Sequence, residues 1–92
     1  MTTSTQAALA ALRAAAVDVL LAAWRSRFGA APVAVMHAHR ELAAEFAALG
    51  VARPDAAGPL LKQLAAEGRL VRNPVHRTYA IAAPGAAEEE TP

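Results

Sequence analysis

From Gln6 to Phe28 apolar residues return every three or four positions: Leu9, Leu12, Ala16, Leu20, Trp24 and Phe28. That is the spacing of one helical face, so a single long helix is expected over Gln6 to Phe28, stopped by Gly29. Thr2 to Thr5 is polar and is expected to be disordered, with Ser4 or Thr5 able to cap the helix behind it. After "GAAP", the run Val33, Val35, Met36 reads either as a strand of three or four residues or as the first turns of the next helix. His39 to Leu49 reads as a second helix, with Leu42, Phe46 and Leu49 on one side and Gly50 as its stop. A third follows "VARPD" and ends at Gly68.

The period then changes. Leu70, Tyr79 and Ile81 alternate on either side of "NPVH", which predicts a two-stranded hairpin whose tip carries Arg72, His76 and Arg77. Residues 84–92 read as a disordered acidic tail. The domain expectation is therefore a polar stretch over 1–5, one domain over 6–83 and the tail.

The third helix carries an internal conflict. In "PDAAGPLLKQLAAEG" the residues Ala57, Leu60, Leu61 and Leu64 share one face, yet Gly58 and Pro59 interrupt the early turns. Two resolutions are open. The helix starts late, with Gly58 as N-cap and Pro59 at the first helical position, or Asp55 caps it and the Gly-Pro pair strains its first turn. The late start is preferred. It leaves "ARPDAA" as an exposed turn.

Composition changes this picture in two ways. Hydrophobic residues make up 55% of the 92, but 27 are alanine, so the apolar fraction overstates the core. The formal charge of +1 is also misleading, because Glu88, Glu89 and Glu90 lie in the tail; residues 1–87 hold nine bases against five acids. Without cysteine there is neither a disulfide framework nor a thiolate site. Arg13 and Asp18 interrupt the N-terminal apolar run, which argues against a signal peptide or membrane span, and a cytoplasmic protein is expected.

Helix, short strand, helix, turn, helix and basic-tipped hairpin, together with "RELAAEF", "LLKQLAAEGRLVR" and "RTYAIA", resemble a winged helix-turn-helix domain. The resemblance runs from Val33 to Ala82, and "LAAEFAALGV" is about two residues longer than the family's usual helix and turn. It implies an α+β, mainly helical fold and duplex DNA binding, with the third helix in the major groove and the wing on the backbone or minor groove. Carried over, the DNA-binding residues are Lys62 and Gln63 on the third helix, and Arg53, Arg72, His76 and Arg77 on phosphates or the minor groove. The third-helix face otherwise offers Asp55, Ala56, Pro59 and Ala66, so shape and phosphate contacts are expected to outweigh base readout.

A homodimer through the first helix, acting as a transcriptional regulator or a plasmid- or phage-type accessory factor, is the functional expectation. The alternative keeps the fold as a protein-interaction module without DNA binding. His37 and His39 point apart in strand or helix and do not read as a metal pair. Glu41 and Glu45 lack a companion nucleophile or Gly-rich loop, so no enzymatic chemistry and no cofactor is expected.

Overall fold

The C-terminal half of the first helix supplies one wall of the core. In a computed structural model describing residues 2–82, this helix, α1, spans Thr2–Phe28. Val17, Leu20 and Trp24 are buried from it, with Phe28 half-buried behind Trp24. Leu9 and Leu12, assigned to the same stripe, are exposed, Leu12 at the rim of a shallow hollow with Ala48 and Leu49. It also begins at Thr2 instead of Gln6. No glycine or proline lies between Thr2 and Gln6, so helix propagates backward from the alanine run at one hydrogen bond per residue. The expected acidic tail lies outside the described residues.

Beyond Gly29 come β1 (Val33–Ala34), α2 (Val35–Glu41) and α3 (Ala43–Ala48). Both readings of "VAVM" hold in part, since two residues pair as strand and the helix starts at Val35. The expected single helix over His39 to Leu49 is broken at Leu42 (φ −117°, ψ 35°), which ends α2 and caps α3. Nothing in the local sequence forces this break. It accompanies the burial of Ala38, Leu42 and Phe46 in the same core. At the end of α3 the Gly50 and Val51 amides donate to the Ala47 and Phe46 carbonyls at 2.9 Å each, closing the last turn.

α4 spans Pro54–Ala66 and buries Ala57, Leu60, Leu61 and Leu64, the face read from the sequence. Its start corrects both resolutions of the Gly-Pro conflict. Arg53 is the N-cap and Pro54 occupies the first helical turn, so Pro59 stands inside the helix and neither Gly58 nor Asp55 is the cap. Pro54 presets the backbone for a helix start at no loss of a hydrogen bond. Gly58 makes the second proline tolerable, because it lacks the Cβ that would crowd the Pro59 ring in helical conformation. Pro59 itself is exposed, so its ring gains little packing in return.

Two strands complete a three-stranded antiparallel sheet, β2 (Leu70–Asn73) and β3 (Thr78–Ile81), in the order β1-β3-β2. Leu70 pairs with Ile81, Arg72 with Tyr79, and Val33 with Tyr79 on its other side. Val33, Leu70 and Tyr79 are buried and seal the core against the helices. The architecture is thus α+β and mainly helical. On the surface Arg27 clasps Glu41, joining the ends of α1 and α2, while Arg69 pairs with Asp18.

Two outcomes follow for stability. Pro59→Ala restores the amide that would donate to the Asp55 carbonyl and should stabilise the domain by about 1–3 kcal/mol in urea denaturation; an unchanged or lower midpoint would show that the ring is compensated by packing. The hydrogen bond from Arg27, and then its charge, hold the Glu41 carboxyl below its ordinary pKa. A depressed folded-state pKa means that the pair stabilises at neutral pH and that this support is lost as pH falls through the folded value. The difference in Tm between the protein and Glu41→Gln should therefore shrink on acidification, and a difference independent of pH would assign the effect to something other than the ion pair.

Candidate nucleic-acid interface

Arg72 owes its position to strand register. Directly opposite Tyr79 in an antiparallel pair, it shares a face with that buried ring and with Leu70, and so lies on the side of the hairpin turned toward α4. Lys62 is exposed on α4, one turn beyond Gly58. Arg77 comes from the turn between β2 and β3, where it holds a left-handed conformation at φ 54°. That turn is braced by Asn73, whose Oδ1 accepts from the Val75 and His76 amides at 3.1 and 3.3 Å.

These three cations come together. Lys62, Arg72 and Arg77, with Val35, Gly58, Pro74 and Tyr79, line one open depression of about 490 Å³ between α4 and the hairpin. Among the described residues none of the three pairs with a carboxylate; the ion pairs there are Arg27 with Glu41 and Arg69 with Asp18. Three like charges around one concavity repel one another and favour an anion between them.

The other nominated residues lie elsewhere. Gln63 is turned away from Lys62, donates through Nε2 to Glu67 Oε2 at 3.2 Å, and borders a different hollow between α1 and α4. His76 is exposed at the turn, outside the walls of the cationic depression. Arg53 is exposed at the α4 N-cap, a full helix turn before Gly58.

Sequence reasoning overlooked the apolar part of this surface. Val35, Met36, Pro54, Asp55 and Gly58 line a second depression of about 440 Å³, which shares Val35 and Gly58 with the first. Met36 is largely exposed on it. "VAVM" could not reveal this, because a short apolar run looks the same whether it enters a core or rims a groove. Gly58, read from the sequence as the N-cap of a late-starting helix or as part of a strained first turn, is the bare position joining the two hollows.

The histidines are kept apart. His37 lies against the Phe28 ring at 5.6 Å between centroids, whereas His39 Nε2 is 3.2 Å from the Val51 carbonyl and its ring lies 5.3 Å from Phe46. Glu41 is engaged by Arg27. As for the N-terminal helix, Thr5–Phe28 is long and apolar enough to cross a membrane, but Val17, Leu20 and Trp24 within it are committed to the core.

No family model matches the chain, and neither a curated protein nor a solved structure matches it.

Charge and backbone can be separated at Arg77. Because a left-handed residue favours glycine, Arg77→Gly should leave stability unchanged or raise it by up to about 1 kcal/mol. Thermal unfolding checks this, and a marked loss of Tm would mean that the arginine side chain, not its backbone geometry, supports the turn.

Proposed function

We propose that this protein is a winged helix-turn-helix module that binds duplex DNA as a homodimer in the cytoplasm, as a transcriptional regulator or a plasmid- or phage-type accessory factor. The observation that carries the reading is the convergence of Lys62, Arg72 and Arg77, from a helix, a strand and a turn, around one depression without carboxylate partners among the described residues. Element order adds support. Helix, strand, helix pair, helix and hairpin, with the hairpin's second strand central in a β1-β3-β2 sheet, is the arrangement a wing needs to stand beside the third helix of that fold.

In this reading α4 faces the major groove and the hairpin is the wing. Phosphates of the strand passing between them neutralise Lys62, Arg72 and Arg77, and released counterions drive the association. Arg53 and His76 reach flanking backbone. Exposed Asp55, Ala56, Pro59, Lys62 and Ala66 give α4 a mostly short, smooth face, so it comes close to the duplex while few side chains reach a base. Specificity then rests chiefly on groove shape. The apolar hollow at Met36 and the bare first half of α1 favour a second reading, a protein-interaction module of the same fold.

Fluorescence anisotropy of labelled, mixed-sequence duplex at several salt concentrations separates the two. DNA binding predicts affinity that falls steeply with salt, and Arg72→Ala or Arg77→Gly should each weaken it and remove about one unit from the salt slope. Absence of binding at low salt would exclude the DNA reading and leave the protein-interaction module.

A further inference from the structure

α1 carries two apolar stripes, of which the core uses one. Val17, Leu20 and Trp24 face inward. The second follows Leu9, Leu12, Ala16, Val19, Ala23 and Ser26, separated by alternating steps of three and four. This is the heptad spacing that pairs helices, sustained without a charged residue. Leu9, Leu12 and Val19 on it are 60, 67 and 58% exposed, while Ala16 and Ala23 are half-buried at its edge. Ala8, Ala15 and Ala22 beside it are exposed as well, whereas Asp18 and Arg25 lie toward the opposite side of the helix.

From Thr5 to Ala15 every residue is exposed, about 16 Å of helix, and only shallow hollows, at Ala10 and Ala14 beside α4 and at Leu12 beside Ala48 and Leu49, separate its later part from the body. A helix of that length has little stability without tertiary packing. A partner on the stripe would support it, and the size order along the stripe says what fits. Its first half is large and its second mostly small. When two copies lie antiparallel with Ala16 opposite the partner's Val19, Leu12 meets Ala23 and Leu9 meets Ser26, so each layer holds one large and one small side chain. Parallel pairing stacks leucine on leucine at one end and alanine on alanine at the other.

We propose that the second apolar stripe of α1 is the dimer seam, that the occupant is a second copy of this chain, and that the two α1 helices run antiparallel in the register that opposes Ala16 and Val19. The exposed first half of each α1 then lies along the exposed side of the partner's second half. The contact is two-fold and closes on itself. This rests on the homodimer of the proposed function and specifies its seam and direction; it does not depend on DNA.

Sedimentation equilibrium of the full chain and of Leu12→Glu, joined with cysteine cross-linking, tests it. The protein should be dimeric. Leu12→Glu should weaken association at least about a hundredfold with an unchanged circular dichroism spectrum, since residue 12 is outside the core. The chain has no cysteine, so introduced thiols report alone. Leu9→Cys combined with Ser26→Cys should oxidise to a covalent dimer, because these sites lie about 25 Å apart within one helix and cannot bridge internally; each single variant should cross-link far more slowly. A monomeric protein would overturn both the homodimer and the seam. A dimer that survives Leu12→Glu, or one in which Leu9→Cys alone cross-links as fast as the pair, would overturn the seam or its direction while leaving dimerisation in place.

Discussion

The turn at Gly68 is the constraint on which the candidate site depends. At φ 80° this residue reverses the backbone immediately after α4, and the Gly68 and Arg69 amides return to the Ala65 and Leu64 carbonyls at 3.0 and 2.9 Å. The chain then passes into β2 with no loop to spare, since Leu70 is already paired. Leu64 and Leu70, buried on either side of the turn, fix the angle between helix and strand. Because that angle is fixed, Arg72 stands over the α4 surface that carries Lys62. A β-carbon at residue 68 would meet no neighbour, but it would hold the backbone in a conformation that L residues resist.

Where chemistry is local, the sequence was a sufficient guide. The four buried residues of α4, the glycines that end α1, α3 and α4, and the hairpin pairing follow from spacing and turn chemistry alone. Where tertiary packing decides, it was not. Leu42 breaks a helix in a stretch free of glycine and proline, where no local residue marks the break. Leu9 and Leu12 match the core stripe in spacing yet stay exposed, and no periodicity records where a neighbouring element packs. The start of α4 was misplaced because two prolines competed for one role, and the local sequence does not say that a glycine would let the second remain inside the helix.

The candidate site was legible in type more than in membership. Lys62, Arg72 and Arg77 were found because cations on a helix and a hairpin are visible in one dimension. Gln63, next to Lys62 in sequence, went to the other side of α4, a consequence of the 100° between successive helical residues. Asp55, Met36 and Gly58 became neighbours only when the N-terminal ends of α2 and α4 were brought together.

One feature of the core gives the protein an optical signature. Trp24 is its single tryptophan, fully buried, set edge-on to Phe28 at 5.5 Å, with an indole N–H that meets no acceptor among the described residues. Such an indole emits toward the blue, free of the solvent relaxation that shifts exposed tryptophan to longer wavelength. Its emission belongs to the seating of α1 on the body and to nothing else in the chain. Separation of that helix from the rest is therefore visible without a label, even if the remaining helices and the sheet stay folded.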